Sequence, residues 1–139
     1  PDFISSLISA AGSIGSIVTY SVYEGSTIKN LANNFPQFEG RLLAVRDRIF
    51  DLLKAIRDYY YHPEFHGSFS LKSVLPALVP DLGYEDLDIS EGSVASIVFV
   101  KTMDSRKTLP EKDRLRSALL AYCRRDTEAM VSLLATLVL

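Results

Sequence analysis

The chain has no tryptophan, two histidines and a single cysteine, Cys123, in 139 residues. One thiol excludes an internal disulfide and any cysteine cage around zinc, and it points to a reducing, cytoplasmic setting. Charge of one sign is lacking as well. Fifteen basic residues face seventeen acidic ones, a formal net charge of -2, so the global balance gives no attraction for nucleic acid. Such a partner would need a local basic patch or bound cations. No apolar run approaches the ~20 residues that cross a bilayer, no secretory signal is visible, and there is no internal repeat or low-complexity tract. A membrane protein and a secreted disulfide scaffold are therefore not expected.

What the chain does have is apolar material. Hydrophobic residues make up 47% and charged residues 23%, enough to bury a core and to place 1–139 in one domain. The mean hydropathy of +0.13 is high for a small domain with so little net charge. Either a partner covers apolar surface, or the chain is a piece of something larger. Its opening at Pro1 and its close on an apolar run without a polar tail favour a piece.

The order of elements reads as helix-rich α/β. Phe3, Ile4, Leu7, Ile8 and Ala11 have helical spacing that stops at Gly12. Residues 16–20 (SIVTY) are β-branched and predict a short buried strand. A helix follows over 22–34 and closes at Phe35-Pro36. Residues 40–60 are helical in pattern, although 49–53 (IFDLL) also suit a strand between two helices. An aromatic loop occupies 59–69, a short helix 70–78, and a turn-rich connection 80–90. Residues 92–103 fit either a strand or a helix. Pro110 with Glu111 and Asp113 then opens a terminal helix over about 110–138. The total is about six helices with one or two strands.

Two carboxylates fall on apolar faces. At 100° per residue, Leu115, Leu119, Tyr122, Ala129, Met130, Leu133 and Leu137 form one stripe of the terminal helix, and Asp126 sits within it. An acid there is costly unless it is paired, hydrogen-bonded or metal-bound. On the helix after SIVTY, Glu24 shares a face with Ile28, Leu31 and Phe35, just past the carboxyl end of a strand, where α/β folds place ligands. The helix dipole also favours an anion at that first-turn position, so a structural role competes. Two inward carboxylates on separate elements are expected to form an oxygen-ligand site for a divalent cation. Asp51, inside IFDLL, is a third candidate or a solvent-facing residue.

Other groups have plainer readings. His62 and His66 flank Pro63, where no helix can bring them together, and a loop-packing role is expected. Cys123 is expected as a small core residue. Lys101, Arg106, Lys107, Lys112, Arg114 and Arg116 precede or open the terminal helix as a basic cluster, joined later by Arg124 and Arg125, either a solvated face or a phosphate contact.

The run Tyr122-Cys-Arg-Arg-Asp126-Thr127 resembles the third motif of the DnaQ-like 3′-5′ exonucleases of RNase H-like fold. The wider chain is similar to a bacterial family of uncharacterised proteins with an exonuclease-like domain, through residues 15–24, 48–53, 59–92 and 119–134. The resemblance implies two divalent metals, Mg²⁺ or Mn²⁺, held by acidic residues, with a metal-activated water attacking a terminal phosphodiester. By position Glu24 stands for the second-motif acid, Asp126 for the third, Tyr122 for the residue that orients the water, and Asp51 for a supporting ligand. Single-stranded DNA or RNA ends are the implied substrates.

The resemblance also has gaps. The second motif usually carries Asn and Asp where Ser21 and Glu24 stand, and the extra methylene of Glu moves its oxygen by more than about 1 Å, which phosphoryl transfer feels. No Asp-x-Glu first motif precedes SIVTY. The expected fold is thus a helix-rich, strand-poor C-terminal portion of an exonuclease domain, inactive by itself and self-associating through apolar surface left by absent strands. The alternative is a non-catalytic module of the same fold that binds nucleic acid or protein.

Overall fold

The computed structural model describes residues 2–138, and the chain divides after Pro63 into two compact units. In the first, helix α1 (Asp2–Ala11) ends on Gly12, whose φ of +60° is the left-handed turn that closes a helix. Strand β1 (Ile17–Thr19) leads to helix α2 (Tyr23–Asn34), a 3₁₀ turn (Pro36–Phe38) and helix α3 (Glu39–Arg46). Strand β2 (Ile49–Asp51) and helix α4 (Leu52–Tyr59) follow. β1 and β2 pair in parallel with Ile17 opposite Ile49 and Thr19 opposite Asp51. Ile4, Ile28, Ala32, Leu42 and Val45 form the core, where α1, α2 and α3 meet.

The ambiguity over 49–53 resolves at one residue. Asp51 has extended φ/ψ, and its carboxylate accepts the Lys54 N–H at 3.2 Å. It therefore ends the strand and caps the helix at the same point. A long-range tie replaces a cation that α1 lacks in its last turn. Arg48 Nη2 donates to the carbonyls of Ala11 (2.7 Å) and Gly12 (3.0 Å), the negative end of that helix.

The second unit is helical. Helix α5 (Leu71–Leu78) is followed by an irregular segment, then helix α6 (Gly92–Thr102) and the 30-residue helix α7 (Leu109–Val138). α5 and α6 both pack on α7, and Phe65, Val74, Leu75, Ile89, Ala129 and Leu133 are buried. Residues 92–102 become helix despite their β-branched content, since no strand of this unit, among the described residues, offers a ladder to pair with. α7 starts with a capping box: Glu111 accepts the Thr108 N–H at 2.8 Å, and Thr108 Oγ1 accepts the Glu111 N–H at 3.5 Å.

Seven α-helices and a two-stranded parallel sheet among the described residues make this a helix-rich α/β chain, as the sequence pattern implies. None of those helices is long and apolar enough to cross a membrane. Leu42 and Leu133 are fully buried, one in each unit. Truncating either to alanine is expected to cost about 2–5 kcal/mol in urea unfolding; a loss under about 0.5 kcal/mol at both would contradict this description of the cores.

A carboxylate held on the terminal helix

The stripe read from the sequence of α7 is the face it turns inward. Ala129 and Leu133 are fully buried, and Leu115, Leu119, Tyr122, Met130 and Leu137 are half-buried. Asp126 lies among them, also half-buried, and its Oδ1 accepts a hydrogen bond from the Tyr84 hydroxyl at 2.7 Å. Only 7% of Tyr84 is exposed. Its ring centroid lies 6.0 Å from that of Tyr122, tilted by 43°. The half-buried acid is thus satisfied by a phenol rather than by a base.

Arg125, next in sequence, holds the same irregular segment from outside. It donates to the Gly83 carbonyl and makes a two-pronged pair with Asp86 at 2.8 Å on each arm. This guanidinium keeps the Asp86 carboxyl below its usual range. Successive residues of α7 therefore clamp residues 83–86, one with a buried hydroxyl bond and one with a charged fork.

The electrostatics follow from burial. Desolvation, then the hydrogen bond and charge of Asp126, push the Tyr84 hydroxyl well above the ordinary tyrosine value. Desolvation and the same carboxylate push Tyr122 up to about 12. Gly92, the first residue of α6, sits beside the Tyr122 hydroxyl.

The other candidates are placed differently. Glu24 does not point inward: it is exposed, and its Oε2 accepts the Ser21 hydroxyl at 3.3 Å. The buried face of α2 begins one turn later, at Ile28 and Ala32. The first turn leaves Glu24 exposed, at the helix end where the dipole favours an acid. Asp51 is half-buried and caps α4. With Ser21, Gly25, Lys29 and Arg46 it lines a cleft of about 310 Å³ at the carboxyl ends of β1 and β2. Cys123 is exposed, not core, because one step along α7 turns it off the buried stripe. His66 occupies a left-handed turn with Gly67, beyond the 3₁₀ turn Pro63–Phe65.

Among the described residues, no three His, Cys, Asp or Glu side chains gather as a cation's ligands would. The donor chemistry of Asp126 does suit a single carboxylate ligand. One oxygen is oriented by a hydroxyl, as outer-shell groups orient metal-bound carboxylates. Sequence reasoning missed Tyr84 and Arg125. Tyr84 sits in a segment without periodicity, and Arg125 reads as one more basic residue.

Two outcomes follow from these contacts. Asp126→Ala leaves the buried Tyr84 hydroxyl without its acceptor and should cost about 1–3 kcal/mol, whereas Asp126→Asn keeps an acceptor oxygen and should cost less. Equal losses would sink the assignment. In alkali, Tyr20 and Tyr122 should lose their protons near pH 12, with Tyr84 held back as well. Because these values lie above the unfolded value of about 10, their stabilising contribution is whole below pH 10 and falls as pH rises toward 12. Absorbance at 295 nm with far-ultraviolet circular dichroism reads both. Complete tyrosine ionisation near pH 10 with the fold intact would contradict it.

Comparison with curated proteins returns no match, and comparison with solved structures returns none either. One family model matches residues 1–70, a span that includes Glu24 and Asp51 and covers half of the chain. On that match, the chain belongs to the family described as Domain of unknown function (DUF2779).

Proposed function

We propose that this chain forms part of a metal-dependent 3′-5′ exonuclease of DnaQ-like type, acting on single-stranded DNA or RNA ends in the cytoplasm. The observation that carries the reading is the Asp126 carboxylate: set in an apolar stripe, fixed by Tyr84 at 2.7 Å, and one helical turn from the Tyr122 phenol. A half-buried acid with an oriented oxygen suits a metal ligand in a nuclease. In this reading Asp126 would be a ligand of Mg²⁺ or Mn²⁺, and Glu24 and Asp51 are the acidic side chains of the first unit that would serve as ligands of the same kind. The bound metals would supply an activated water and charge stabilisation at the phosphate. Tyr122 stays protonated across the physiological range, since its proton is held to about pH 12. It can therefore donate a hydrogen bond to the attacking water's oxygen or to a phosphate oxygen. Residues 1–16 hold no Asp-x-Glu pair, so activity is expected only from a protein that supplies those ligands.

A second reading has its own observation. Glu24 is exposed, and Asp51 spends its carboxylate as a helix cap. Both fit a non-catalytic module that keeps the fold and binds nucleic acid or protein.

Incubating the protein in its natural length with end-labelled single-stranded DNA and RNA, in Mg²⁺ and in Mn²⁺, separates the two. The nuclease reading expects cleavage from 3′ ends. Tyr84→Phe should lower the rate ~10–100-fold, the usual cost of losing an outer-shell partner, and Asp126→Asn should lower it further. No cleavage in either metal, together with no Mn²⁺ binding by electron paramagnetic resonance, would leave the binding module as the reading.

A further inference from the structure

Helix α6 is uncharged from Gly92 to Val100, apolar on nearly every side, and buries none of its residues. A helix of that composition is ordinarily enclosed. One flank packs on α7, yet Phe99 remains 53% and Val100 65% exposed, and Leu120 on α7 is 61% exposed. Between the two helices runs an open groove of about 970 Å³. Its floor is Ala95, Phe99 and Val100 from α6 with Leu109, Leu119 and Leu120 from α7. An apolar surface this continuous marks a binding face.

The shape of the groove selects a helix. Its α7 wall is built at three- and four-residue steps, from Leu109 through Lys112 and Arg116 to Leu119 and Cys123. That is one face of α7 over a length of about 21 Å at ~1.5 Å per residue. A segment of about 14 residues laid along it would pack ridge into groove, as a third helix does on an antiparallel pair.

The charge around the groove selects its sign. Residues 101–116 hold six basic side chains and three acidic ones. Asp104 is taken by Arg106, and Glu111 by Thr108. Lys112 and Arg116 line the groove and enter no ion pair among the described residues, Asp113 is the acidic side chain in the same lining, and Lys107 and Arg114 line a separate cleft with Glu111 and Asp88. Two cations against one carboxylate leave the rim net basic over an apolar floor, which matches an acidic amphipathic partner. A nucleic-acid strand fits less well, because the floor is aliphatic apart from Phe99 and offers no succession of rings for bases to stack on.

We propose that the α6–α7 groove docks an acidic amphipathic helix of a partner protein, its apolar stripe on Phe99, Val100 and Leu120 and its carboxylates on Lys112 and Arg116. The surface is independent of the nuclease reading and stands whether or not that reading survives.

The probes are two labelled 14-residue helical peptides with leucines at three- and four-residue spacing, one filled out with Glu and the other with Lys. Fluorescence anisotropy should show the Glu peptide binding at least about tenfold more tightly than the Lys peptide, with affinity falling as salt rises. Leu120→Asp and Phe99→Asp, each checked for an unchanged circular dichroism spectrum, should weaken it about tenfold or more. Lys112→Glu with Arg116→Glu should abolish the preference for Glu. Equal binding of both peptides, or affinity untouched by the variants, would overturn the proposal. So would an oligo-dT strand that competes for the face, or a dimer in sedimentation that Leu120→Asp dissociates.

Discussion

An acid on the inward face of a long helix is the constraint around which the second unit is arranged. Asp126 could not sit among Tyr122, Met130 and Leu133 without an acceptor's due, and Tyr84 supplies the donor at 2.7 Å. That one bond fixes where an otherwise irregular segment crosses α7, and it sets two tyrosines side by side with raised proton affinities. Arg125 makes the crossing firm by gripping Gly83 and Asp86 from the solvent side. A charged fork outside and a buried hydroxyl bond inside have different sensitivities. Salt weakens the first, while the second depends on burial and on the phenol keeping its proton.

The first unit depends on terminations rather than on a buried charge. Gly12 stops α1, Arg48 satisfies its last carbonyls, and Asp51 both stops β2 and starts α4. With strands of only three residues, the sheet contributes little by itself. The helices around Leu42 and Ile28 carry the burial, and the strands position the cleft bounded by Ser21, Lys29, Arg46 and Asp51.

Much of this architecture is legible from local pattern. The spacing of Ile4, Leu7 and Ile8 gives α1 and its stop at Gly12, and the stripe through Leu119, Tyr122 and Leu133 gives the inward face of α7. Pattern fails where a tertiary partner decides. Residues 92–102 have strand propensity but no strand to join, and so coil into a helix. Glu24 shares a helical face with Ile28 yet lies beyond the end of the core, which periodicity alone cannot reveal. Cys123 shows the opposite limit: a small apolar residue next to the stripe is still 100° away from it. The partner of Asp126, 42 positions back in an aperiodic segment, leaves no local trace at all.

The central claim is that Tyr84 and Asp126 act on each other rather than merely lying close. A double-mutant cycle with Tyr84→Phe, Asp126→Ala and the pair, read by urea unfolding at neutral pH, measures that directly. The account predicts a coupling of about 0.5–3 kcal/mol, because each single change removes the same bond and the second then costs little. Additive losses, with coupling indistinguishable from zero, would contradict it.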